Sequence, residues 1–171
     1  MSRHVELLGR VASLLETTTL NLCVLLAVLM SATLLAELVA RNLIGTTLIW
    51  SAEFATMCFI WIAFLGSTAA ARRRDHFNVD LIGRWVPAGS PAEHWLLALT
   101  AAIFAGFGAV LLINGISFAE TGMRRFSFSL GIPQGYTMLI MPVSGALFLF
   151  YGCVELLELF IDEDRENVER A

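Results

Sequence analysis

Three histidines (His4, His76 and His94), three cysteines and a scatter of carboxylates are the residues from which this sequence could build a reactive centre. Histidines facing each other across helices would hold a haem. A serine with a base in reach would make a hydrolase. A carboxylate deep within a helix bundle would carry protons. Placement decides against all three. Glu37, Glu53 and Glu120 stand at one set of ends of four long uncharged runs, and Glu16, Glu155 and Glu158 at the other. The histidines lie outside the runs or at their borders, and Ser31, Ser67 and Ser144 have no deep acid or base beside them. Cys23, Cys58 and Cys153 fall inside the runs, an odd number without metal-ligand spacing, and read as small packing residues. No catalytic or metal site is expected, and no cofactor.

The runs that position these residues dominate the chain. Twenty uncharged residues separate Glu16 from Glu37, eighteen separate Glu53 from Arg72, twenty-six separate Glu93 from Glu120 and twenty-nine separate Arg125 from Glu155. Of 171 residues, 57% are hydrophobic and only 15% charged, whereas a soluble domain is about 45–50% apolar. A bilayer core of about 30 Å needs about twenty helical residues. Lipid offers no water to backbone groups, so a spanning segment is a helix or part of a closed barrel. Uninterrupted apolar runs exclude the barrel, whose strands alternate. The first run also exceeds the 7–15 apolar residues typical of a cleaved signal peptide. The expectation is an all-α integral membrane protein with four transmembrane helices over about 18–40, 52–71, 91–120 and 133–159.

Arginine distribution gives the orientation. With the N-terminus inside, Arg3, Arg10, Arg72, Arg73, Arg74, Arg84, Arg165 and Arg170 are cytoplasmic, and Arg41, Arg124 and Arg125 lie outside. Eight against three favours N-in, C-in. Arg72, Arg73 and Arg74 then end the second span at the inner surface, where they set topology and attract anionic lipid headgroups. Arg41, Arg124 and Arg125 are candidates for docking an acidic partner outside. Trp50, Trp85 and Trp95 sit at headgroup level, whereas Trp61 lies deeper and is expected to pack on another helix.

Residues 3–17 have polar positions every three or four residues and form an amphipathic helix that either lies on the membrane or extends the first span. Leu43, Ile44, Leu48, Ile49 and Trp50 make a short apolar cluster after the first span. Pro142 is expected to kink the fourth span. The polar tail 162–171 is expected to fray. Small residues recur at four-residue spacing in Ala98, Ala102 and Gly106, in the neighbouring row Ala101, Ala105 and Ala109, and in Gly66 and Ala70. Such rows let helices approach closely, within this chain or against another subunit.

The run WSAEFATMCFIWIAFLGSTAAARRRDHFNVDLIGRWVP opens a helix with Glu53, places Trp61 two turns on, and ends in Leu-Gly, a basic cluster, His76 and Val79-Asp80 before Pro87. The later run GIPQGYTMLIMPVSGALF has Gly-Ile-Pro at a helix start and Pro-Val-Ser-Gly beyond it. In these motifs, in length and in four-helix layout the chain resembles the small membrane subunit of tripartite ATP-independent periplasmic (TRAP) transporters, the DctQ-like family. The resemblance implies residence in the bacterial inner membrane beside a large permease subunit, which carries substrate and sodium and moves as an elevator. It also implies a periplasmic binding protein that delivers substrate, commonly an organic acid anion. The small subunit would brace the immobile scaffold. Carried over by motif, Glu53, Trp61, Gly66, His76 and Asp80 have structural or interfacial roles. No nucleic-acid partner is implied. Two other readings stay open: a self-sufficient homodimeric transporter, and a membrane scaffold or assembly factor outside transport.

Overall fold

Long runs of Leu, Val, Ile, Ala and Phe become helices here because a helix satisfies its own backbone groups wherever water is absent. The computed structural model describes residues 2–72 and 91–169, with side chains over 8–71 and 95–159. Helix α1 runs Ser2–Val39, α2 Ile49–Arg72, α3 Pro91–Met123, α4 Gly135–Met138 and α5 Ile140–Glu169. Among the described residues four segments are long and apolar enough to cross a membrane: Leu8–Ile44, Ile49–Ala71, Trp95–Met123 and Gly135–Leu159.

At the N-terminus, residues 3–17 extend the first span, since α1 is one unbroken helix from Ser2. It closes in a wide π-type turn, Ala40–Ile44, capped by Gly45 in the left-handed region at φ 76°. Leu43, Ile44, Ile49 and Trp50 around this turn are exposed. At the other end of the chain the expected frayed tail is instead helical through Glu169. The stretch DEDRENVE contains good helix formers and neither Gly nor Pro, so nothing in it stops a helix already running.

The helices form a row rather than a ring. α1 packs on α2 and also touches α5, α2 packs on α5, and α5 on α3, while among the described residues α3 touches neither α1 nor α2. The α1–α2 turn and the α3–α4 connection lie at one end, called distal below, and the chain termini at the other.

The tightest seam is α3 against α5, and glycines create it. A Cβ on Gly108 would lie 2.4 Å from the Leu149 nitrogen and 2.8 Å from the Gly145 carbonyl oxygen. One on Gly145 would lie 2.5 Å from the Leu112 nitrogen. Backbone therefore meets backbone, the arrangement that stabilises helix pairs in lipid, where apolar burial drives little. Phe148 fills the space beside this contact, stacked on Phe104 at 6.0 Å between centroids and edge-on to Phe107 at 5.5 Å.

The seam sorts the two rows of small residues on α3. Ala101 is fully buried and a Cβ on Gly152 would meet Ala105, so that row is internal. Ala102 and Gly106 face outward, and a Cβ on Gly106 would meet nothing within 4 Å. At 100° per residue, Gly106 stands roughly 200° round the helix from Gly108 and cannot share its face.

Pro142 acts three residues upstream. It has no N–H for the Met138 carbonyl, and the helix is interrupted at Leu139, between α4 and α5. Its ring packs where a Cβ on Gly115 would lie, 2.8 Å from the Pro142 Cδ.

Candidate functional site

At the distal end of the bundle two carboxylates organise the polar groups. Glu37, in the last turns of α1, accepts a hydrogen bond from the Ser51 hydroxyl. That hydroxyl, on a residue with 0% exposure, also lies 2.7 Å from the Leu48 carbonyl oxygen. The pair fastens α1 to the start of α2.

Glu53 fastens α2 to the second hairpin. Its carboxylate accepts the backbone N–H of Phe128 at 3.1 Å, Ser129 at 3.0 Å and Leu130 at 3.1 Å. The Ser127 hydroxyl donates to it as well. Successive N–H groups aimed at one anion form a concave nest. The α3–α4 connection is shaped to present it. Ser127 donates its N–H to the Ile132 carbonyl at 2.8 Å, Gln134 donates to Arg125 at 2.8 Å, and Phe126 bridges Pro133. Gly131, at φ 67°, makes the tight return that a side chain would strain. All four donors to Glu53 are uncharged.

A cleft of about 370 Å³ opens beside this clasp. Glu53, Ala52, Thr56, Met57 and Ile60 of α2 line one wall, and Leu130, Ile132, Pro133, Gln134, Thr137 and Met138 line the other. Its lining is largely apolar with a polar rim.

The sequence-derived site residues separate along the molecule. Arg41 lies exposed in the π-type turn, and Arg124 and Arg125 lie exposed beyond the end of α3, so these three share the distal end with Glu53. Trp61 sits two turns further along α2, half-buried, with its indole N–H enclosed and unpartnered among the described residues. Gly66 lies beyond it, with open space where a Cβ would project. Arg72 is the last residue of α2, its side chain outside the described set. Arg73, Arg74, His76 and Asp80 lie outside the described residues, as do the side chains of His4 and His94.

Hydroxyls within the spans bond their own helices. Ser67 donates to Phe64 at 2.7 Å, Thr68 to Leu65 at 2.7 Å and Ser144 to Met141 at 3.0 Å. The cysteines are free; Cys58 is buried, and Cys153, against the packing expectation, is exposed. It faces away from the seam that its neighbour Gly152 enters. No group of three His, Cys, Asp or Glu gathers among the described residues.

The sequence reading missed the Glu37–Ser51 pair and the nest for Glu53. Their partners are 14 and 74–77 residues apart, too far for local pattern to reveal. A visible signal for the seam was also missed. Gly108, Gly115 and Gly122 recur every seven residues, as do Gly145 and Gly152, the repeat that keeps one helix face on a partner.

Fold and site together define a multi-pass α-helical membrane protein whose described polar groups clasp helices to one another. Comparison with known proteins gives its family. The model for the DctQ component of tripartite ATP-independent periplasmic transporters matches residues 30–162, most of the chain, and the chain belongs to that family. The sialic acid TRAP transporter small permease protein SiaQ of Vibrio cholerae is 25% identical over 143 residues, covering 81% of this chain and 82% of that protein. The sialic acid TRAP transporter permease protein SiaT of Haemophilus influenzae is 25% identical over 122 residues, 68% of this chain but 19% of that longer protein. The family is one of transport components, not of enzymes.

Proposed function

We propose that this chain is the small permease subunit of a sodium-coupled TRAP uptake system in the bacterial inner membrane. In this reading it braces the scaffold of the large elevator-type permease subunit and helps the periplasmic binding protein dock. The observation that carries it is a family match joined to a row of helices with no charged residue deep in any described span. Coupled transport needs ion and substrate sites near the bilayer midplane, commonly at broken helices. Among the described residues the break at Leu139 lies near the end of a span, where Pro142 packs against Gly115. A row also has no enclosed centre through which a solute could pass.

A larger partner is supported by SiaT, in which the matched 122 residues make up 19% of one longer permease chain. N-in, C-in orientation follows the arginine count and puts the clasp, Arg41, Arg124 and Arg125 on the periplasmic side. There these arginines are placed to meet acidic patches of the binding protein, with salt-sensitive attraction. Arg72, Arg73 and Arg74 hold the cytoplasmic end of α2 at anionic lipid.

The test is reconstitution. Purified alone into vesicles under a sodium gradient, the chain should accumulate no solute. Together with its large subunit and binding protein it should support uptake, and omitting it should abolish that uptake. Accumulation by the chain alone would overturn the proposal, as would full uptake without it.

A further inference from the structure

The outward faces of the spans differ in kind. Those of α1 and α3 carry mostly large side chains, such as Val28 and Leu35 on the first and Ile103 and Ile113 on the second, all about half or more exposed, beside a few small ones, among them Ser31 and Ala32 on the first and Ala102 and Gly106 on the second. Lipid chains pack well on such surfaces. The outward face of α2 carries Ala52, Thr56, Ala63, Ser67 and Ala70, with Phe59 the one large residue among its exposed positions over 52–70. Gly66 adds open space beside it. The stretch 52–70 covers about 27 Å at about 1.5 Å per residue, nearly the whole hydrocarbon thickness.

The cleft is continuous with this face, since Ala52 and Thr56 belong to both. Among the described residues the donors to Glu53 within it are uncharged. A carboxylate at the rim of an apolar cleft is the complement of a cation on a long side chain, which could bury its methylenes on Met57, Ile60 and Met138 and bring its charge to Glu53. A smooth face along the span and a charged cleft at its end suit a helix better than a lipid.

We infer that the outward face of α2, with the cleft at its distal end, seats a transmembrane helix of the large permease subunit, and that an arginine or lysine of that helix enters the cleft beside Glu53. This deepens the proposed function and rests on it. Small residues along α2 bring the two backbones close, and the ion pair fixes their register. α2 thus has one face for α1 and α5, carrying Ala55, Cys58, Leu65, Thr68 and Ala69, and another for the partner.

The experiment places the photo-crosslinker p-benzoylphenylalanine singly at positions 56, 63 and 67 of the full chain, co-expressed with its large subunit. Positions 28 and 103 serve as controls. Light should join 56, 63 and 67 to the large subunit and leave 28 and 103 unjoined, and the peptide joined to 56 should contain an arginine or lysine. Ala63→Leu with Ser67→Leu should reduce recovery of the large subunit about tenfold or more, with this chain's membrane yield and helical circular dichroism unchanged. Co-purification without adducts at 63 and 67, adducts at 28 or 103 instead, or adducts to a second copy of this chain would overturn the inference and leave the proposed function standing. An unmodified chain that recovers no large subunit would sink both.

Discussion

The sharpest prediction concerns Gly108→Ala, which adds one methyl at the α3–α5 seam. That carbon would lie 2.4 Å from the Leu149 nitrogen, 2.8 Å from the Gly145 oxygen and 3.0 Å from the Leu149 Cα. Ordinary contact begins near 3.4 Å, so the helices must part by about 1 Å. All three obstructing atoms are backbone, and no rotamer change relieves the overlap. A gap of about 1 Å forfeits up to half of the dispersion well for atoms along the seam. Overpacking typically costs about 1–3 kcal/mol. The expected loss is near the middle of that range, about 2 kcal/mol, or roughly thirtyfold in the folding equilibrium. Gly106→Ala is the matched control, because its methyl would meet nothing within 4 Å. Alanine's better helix propensity should leave that variant neutral or more stable, by at most about 1 kcal/mol. The assay is unfolding of the purified chain in mixed micelles by increasing dodecyl sulfate, followed by helical circular dichroism. Equal midpoints for the two variants, or a Gly108→Ala protein as stable as wild type, would refute the backbone-contact reasoning.

Four further outcomes follow from the distal end and the orientation. Glu53→Ala should free the nest, raising hydrogen–deuterium exchange at Phe128, Ser129 and Leu130 about tenfold or more; unchanged exchange would mean that the loop holds itself. Ser51→Ala removes the donor to Glu37 and should lower thermal stability by about 1–3 kcal/mol, the range for leaving a buried hydrogen-bonding group without its partner, with Thr56→Ala as an exposed control of little effect. Gly131→Ala should destabilise by about 1–2 kcal/mol, because its left-handed backbone penalises a Cβ; a neutral result would show that the loop relaxes. A cysteine at Phe128, fully exposed in the same loop, in a background without native cysteines should react with impermeant maleimide added outside intact spheroplasts, and one at Arg165 should not; the reverse pattern would invert the topology.

The four helices were legible because their signal is coarse: four uncharged runs, each near or above the length a bilayer demands. The spacing of small residues was legible in part. A four-residue rhythm picks out Ala101 and Ala105 correctly but also Ala102 and Gly106, which point away from α5. Only the seven-residue spacing of Gly108, Gly115 and Gly122 distinguishes the face that meets it. The proline kink was visible because a missing N–H acts locally. The clasp was not visible, because Glu53 and the amides of 128–130 are joined by tertiary structure alone. Nothing in SFSLG announces three N–H groups converging on a distant carboxylate. The row arrangement was hidden for a related reason: apolar runs in lipid do not declare their neighbours as amphipathic helices in water do.

The clasp has a consequence for how the chain is made. Glu53 belongs to the first hairpin, and its donors are synthesised more than seventy residues later. While the ribosome is still at work, the α1–α2 hairpin can leave the insertion machinery with this carboxylate facing water, ready but unfilled. The latch closes only when the second hairpin arrives beside it and turns at Gly131. A nascent protein stopped short of residue 127 would lack every donor to it, so closure of this latch is a late step in folding, readable by exchange at three amides.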